Sequence, residues 1–113
     1  MAATALATGA VLTLGGSANA AEAAATHGCP SGYVCLYPKA SWNGDKPSHK
    51  FYKYGTYKIY NQYGTKRWFN NQTGNAKAYR CKGANGTNCG GNQKAGTYYD
   101  YNFTPINSVK LAK

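Results

Sequence analysis

The chain carries one motif twice. KYGTYKIYN at Lys53–Asn61 returns 41 positions later as KAGTYYDYN at Lys94–Asn102, and YPKASWNG from Tyr37 returns 42 positions later as YRCKGANG from Tyr79. A near-constant offset at separate landmarks marks a duplicated supersecondary unit, and one such unit cannot bury its apolar face alone. Two copies of about forty residues account for nearly everything after Cys29, so the fold has to be a pair.

The texture of each copy is β. Eleven tyrosines, scattered Gly-Thr and Asn-Gly pairs and no apolar i, i+3, i+4 stripe argue for many short strands and almost no helix. The first copy predicts strands at Val34–Tyr37, Lys50–Tyr54, Tyr57–Tyr60 and Lys66–Asn70, with Gly55-Thr56 as a break and Trp42–Asp45 as a turn. The second predicts strands at Ala76–Cys81, within Thr97–Phe103 and at Ile106–Leu111, with a turn at Asn85-Gly86. Asn-Gly tolerates the positive φ that tight turns require.

The first twenty residues read as a signal peptide, ending in the small-x-small pattern Ala18-Asn19-Ala20. The usual basic start is missing, since the first cation is Lys39. Residues 21–28 read as a flexible leader, and 29–113 as one domain, with one copy at about 33–73 and the other at about 75–113. A domain this small buries a limited share of its surface and usually needs covalent help. Four cysteines supply it, and an even count in an exported chain reads as a disulfide framework. Three connectivities are possible. Cys29–Cys35 and Cys81–Cys89 are favoured because each pair flanks a Gly-containing turn and closes early, each worth roughly 2–3 kcal/mol on a chain-entropy argument. A secreted, extracellular, monomeric protein is the expectation.

Thirteen Lys and Arg face three acids, Glu22, Asp45 and Asp100. Such a chain attracts polyanions or acidic surfaces. Its densest cationic stretch sets Lys50, Lys53, Lys58, Lys66 and Arg67 among Tyr52, Tyr54, Tyr57, Tyr60, Tyr63 and Trp68. Cations beside aromatic rings can meet an acidic polymer while the rings stack on its sugars or bases. Strand alternation requires about half of these aromatics to be core. Catalysis finds little to work with: acid–base chemistry needs two titratable groups with separated pKa values in one cleft. His27, His49 and the three carboxylates are scattered. No enzyme, cofactor or metal site is expected.

Tyr37-x4-Trp42-x-Gly44 resembles the aromatic-x4-aromatic-x-Gly signature of βγ-crystallin Greek keys, and the closing Ile106–Lys110 resembles the family's last strand. The resemblance implies an all-β fold, two Greek keys forming a two-sheet sandwich, with Tyr37 and Trp42 making a corner over a folded hairpin. It also implies that the serine of that last strand, Ser108, ties back to that hairpin. The second copy departs from the pattern, because Tyr79-x4-Ala84-x-Gly86 has Ala where the second aromatic belongs. CPSGYVCLY, NNQTGNA and YNFTP narrow the likeness to small secreted bacterial proteinase inhibitors of this fold, active on metalloproteinases. The fold also carries a streptomycete killer-toxin-like protein. The family's calcium motif is degraded here: Asn70–Asn75 keeps the opening amides but has Gly74 and Asn75 where hydroxyls belong, and holds none of the carboxylates a hard cation wants.

The resemblance therefore implies a proteinase inhibitor, blocking a substrate cleft with a rigid loop. The best candidate is the loop pinned by Cys81 and Cys89, led by Lys82, Gly83, Ala84 and Asn85, since a disulfide lowers the ordering cost of binding. Only Ala84 offers the apolar entering side chain that thermolysin-like enzymes take, while Lys82 suits a trypsin-like pocket. A hairpin pinned for stability is the competing reading. The alternative function is a cationic antimicrobial or killer-toxin-like protein that binds wall polysaccharide or anionic surfaces through Lys50–Arg67.

Overall fold

The computed structural model describes residues 26–113. The expected signal peptide and most of the expected leader lie outside the described residues. Eight strands follow in order: β1 (Tyr33–Leu36), β2 (His49–Phe51), β3 (Gly55–Lys58), β4 (Thr65–Asn71), β5 (Lys77–Cys81), β6 (Cys89–Lys94), β7 (Thr97–Asn102) and β8 (Ser108–Ala112). There is no helix among the described residues.

The strands form two antiparallel four-stranded sheets, ordered β2-β1-β4-β7 and β3-β8-β5-β6. The duplication is visible in this order. The first copy places β1, β2 and β4 in one sheet and lends β3 to the other. The second places β5, β6 and β8 in its own sheet and lends β7 back. Each copy therefore completes its partner's sheet, which is why neither closes a core alone.

Alternation along the strands builds the core between the sheets. Val34 and Leu36 of β1, Phe51, Trp68, Ala78, and Val109 and Leu111 of β8 are buried together with Ile59, Phe103 and Ile106. Registers such as Leu36↔Trp68 and Ala78↔Leu111 place these residues on common faces. A polar cluster is buried with them: Asn70 Nδ2 donates to the carbonyls of Ala76 and Gln93, and its Oδ1 accepts from Gln72. Gln93 Nε2 donates to the carbonyls of Trp68 and Thr97, joining β6 to the other sheet. The Asn70 amide is thus committed to holding two turns and two sheets together.

The first sheet is covered on its second face as well. Cys29, Cys35, Tyr37 and Phe69 form a smaller cluster there, with Tyr33 and Trp42 packed against it. Both expected disulfides are present, Cys29–Cys35 and Cys81–Cys89. They fit an oxidising environment.

Three differences from the sequence reading have physical causes. Strand β6 runs through Cys89-Gly-Gly-Asn-Gln-Lys94, a composition that reads as loop; its pairing with β5 and the Cys81↔Cys89 register hold it in the sheet. Gly55-Thr56 opens β3 rather than breaking a strand. Of the expected leader, Thr26–Gly28 are anchored: Thr26 and Cys29 exchange backbone hydrogen bonds, and the His27 ring stacks on Trp42 at 3.7 Å. Gly28 has φ +75°, and a Cβ there would lie 1.9 Å from the backbone oxygen of Asp45.

Candidate functional site

The candidate loop is an exposed hairpin between β5 and β6. Its base is closed by the Cys81–Cys89 disulfide, by Lys82 N donating to Asn88 O at 3.1 Å, and by Gly83 N donating to Thr87 O at 3.0 Å. Ser108, fully buried at the start of β8, reaches into it: its hydroxyl donates to Gly83 O at 2.5 Å and accepts from Gly86 N at 3.0 Å. Asn107 Nδ2 donates to Lys82 O at 2.7 Å. Gly86 has φ +75°, and a Cβ there would meet Thr56 Oγ1 at 2.5 Å, so the hairpin lies down against β3. Lys82, Ala84 and Asn85 remain exposed on this fixed frame. Serine and disulfide together do the anchoring that Trp42 does in the first copy.

In the first copy the aromatic corner is built. Tyr37 and Trp42 meet edge to face at 5.2 Å, and Trp42 also meets Phe69 and Tyr98. The Tyr37 hydroxyl donates to the carbonyl of His27 at 2.6 Å. Burial, and then the charge of Asp45, push its pKa up to about 12. His27 Nδ1 lies 3.0 Å from Asp45 Oδ1.

The cationic stretch does not hold together as one surface. Arg67 is committed inward: it bonds Asp100 through Nε at 2.9 Å and Nη2 at 3.1 Å, and stands 4.7 Å over both the Trp42 and Tyr98 rings. Its hydrogen bond to Asp100 raises the guanidinium pKa further. Lys66 Nζ donates to Pro38 O at 2.9 Å. Lys66 and Arg67 stand 41 positions before Asn107 and Ser108, and they tie down the first copy's loop as that pair ties down the second's. Lys50, Lys53 and Lys58 stay exposed, but Lys58 pairs in register with Ser108 on the other sheet.

The aromatics of that stretch also depart from simple alternation. Tyr52, Tyr54, Tyr60 and Tyr63 are all more than half exposed; Trp68 is buried and Tyr57 packs against the core. Strands β2 and β3 are too short to include those four tyrosines, so the alternation that would bury half of them never applies. Tyr52, Lys53 and Tyr54 instead line an open recess of about 370 Å³ with Gly32, Gln72 and Thr73.

His49 stands beside Ser48, with Oγ and Nδ1 2.9 Å apart. The Ser48 hydroxyl also lies within hydrogen-bonding distance of Leu36 O, at 3.1 Å. The His49 ring is half-buried. Burial, and then Lys66, lower its pKa. No cluster of three or more metal-ligating side chains occurs among the described residues.

No protein-family model matches the chain, and no curated protein or solved structure matches it. Function has to be argued from the residues themselves.

Proposed function

We propose that this protein is a secreted proteinase inhibitor of βγ-crystallin-like fold, and that its Lys82–Asn88 hairpin enters the target's substrate cleft. The Greek-key reading is supported by the strand exchange between the sheets and by the Tyr37–Trp42 corner. The inhibitory reading is carried by one observation: an exposed loop anchored at once by a disulfide, by Ser108 and by Asn107. A loop with so little freedom left loses little entropy on docking and resists the distortion that hydrolysis needs.

Metalloproteinases are the target class that the sequence resemblance suggests, with Ala84 as the apolar entering side chain. Lys82 makes a trypsin-like pocket the competing target. The test is to titrate the oxidised protein against one thermolysin-like and one trypsin-like proteinase, with Lys82→Ala and Ala84→Leu variants alongside. On the metalloproteinase reading Ala84→Leu tightens inhibition and Lys82→Ala leaves it unchanged. Inhibition of the trypsin-like enzyme abolished by Lys82→Ala would transfer the proposal to that class. Inhibition of neither enzyme at micromolar protein would remove it.

A further inference from the structure

The two carboxylate side chains within 26–113, Asp45 and Asp100, are both paired and both lie on the first sheet's side of the molecule. The second sheet has a different character. Ala78, Val109 and Leu111 point into the core, so alternation turns Lys77, Tyr79 and Lys110 to the outer face. Thr56 and Lys58 share that face by their register with Lys110 and Ser108. Lys94 of β6 stands directly opposite Lys77, and the two line a recess of about 280 Å³ with Gly74, Asn75 and Ala95. The hairpin covers the face at Thr56 and Ser108, while Lys94 and Lys110 stay exposed and Lys77 half-buried.

Like charges directly opposite one another across a ladder destabilise it. Here neither lysine has an acidic side-chain partner among the described residues, and no described Asp or Glu stands on this face to offset the pair. We propose that this outer face of the second sheet binds an acidic polysaccharide, with the Lys77–Lys94 pair converging on one anionic group and Lys110 taking the next. Strands are spaced by roughly 4.8 Å, of the order of one sugar ring, so Lys110, one strand over from Lys77, suits the next charge of a polymer charged at each residue. Single-stranded nucleic acid is a poorer fit, because it needs free aromatic platforms for its bases. The one ring on this face, Tyr79, is half-buried with Lys110 Nζ 6.0 Å over it. The disulfides also place the protein where acidic glycans are met. Lys77, Lys94 and Lys110 lie outside the proposed inhibitory hairpin, and their ligand would hold the protein at a cell surface.

The test measures binding of the oxidised full chain to polygalacturonate by calorimetry across a salt series, with single-stranded oligo(dT) as the comparison polymer. Lys77→Gln/Lys94→Gln/Lys110→Gln is set against Lys39→Gln/Lys46→Gln/Lys50→Gln, which removes the same charge elsewhere. The expected result is a loss of at least about tenfold in affinity for the first variant and less than about twofold for the second. The slope of log K against log salt should also fall by roughly three for the first variant only. Equal losses in the two variants, no binding of polygalacturonate, or tighter binding of oligo(dT) would each overturn the proposal.

Discussion

Replacing Ser108 by Ala removes one hydroxyl and strands two backbone groups. Gly83 O loses its 2.5 Å donor and Gly86 N its 3.0 Å acceptor, and both sit at the point where the hairpin turns down onto Thr56. Each hydrogen bond contributes about 1 kcal/mol net, with more lost where the orphaned group stays shielded from water. The expected cost is therefore about 2 kcal/mol, or on the order of 10 °C in Tm for a domain of this size. Urea unfolding of the oxidised protein measures the stability. Amide exchange at Gly86 should quicken far more than exchange at Val109, because the Cys81–Cys89 bridge still closes the loop while its tip comes free. On the inhibitory reading, Ser108→Ala also weakens inhibition, through loss of order rather than loss of contact. A stability change below about 0.5 kcal/mol, or unchanged exchange at Gly86, would refute the claim that this serine fixes the hairpin.

Further outcomes are expected elsewhere. Lys94→Glu should raise stability by about 0.2–1 kcal/mol in urea unfolding, because it turns a like-charge cross-strand pair into an opposite-charge one, while abolishing polyanion binding. Arg67→Lys should cost about 1–2 kcal/mol despite keeping the charge, since a lysine cannot make the two-pronged bond to Asp100 between two rings. Gly28→Ala should destabilise more than a surface substitution, read as a lower urea midpoint, because its Cβ has no room beside Asp45 O. The raised pKa of Tyr37 has a signed consequence. The unfolded tyrosine loses its proton near pH 10 while the folded one holds it to about 12, so its contribution is full below pH 10 and is lost between pH 10 and 12. The stability gap between wild type and Tyr37→Phe should narrow over that interval.

Much of the fold was legible because duplication and cysteine spacing are properties of the sequence itself. The offset between the copies implied a pair, and short loops favoured the two disulfides that the structure contains. What was hidden depends on long-range pairing. Strand β6 has no β-forming composition, and only its ladder with β5 and the Cys81↔Cys89 register reveal it. The cationic stretch misled because adjacency in sequence is not adjacency on a surface. Lys66 and Arg67 turn back onto Pro38, Ala40 and Asp100, and Lys58 belongs to the other sheet. The lysines that do share an open face, Lys77, Lys94 and Lys110, are spread over three strands, and nothing local announces them. His27 lies in a stretch without hydrophobic periodicity, yet the Trp42 stack, Asp45 and the Tyr37 hydroxyl anchor it.

The most direct test of the proposed function is a stoichiometric titration of a thermolysin-like metalloproteinase with the oxidised protein and with a Cys81→Ala/Cys89→Ala variant. The prediction is one-to-one inhibition by the wild type, weakened at least about tenfold in the variant at unchanged far-UV circular dichroism. Inhibition that persists undiminished without the bridge would contradict the role given to the pinned hairpin, and absence of inhibition by the wild type would contradict the function itself.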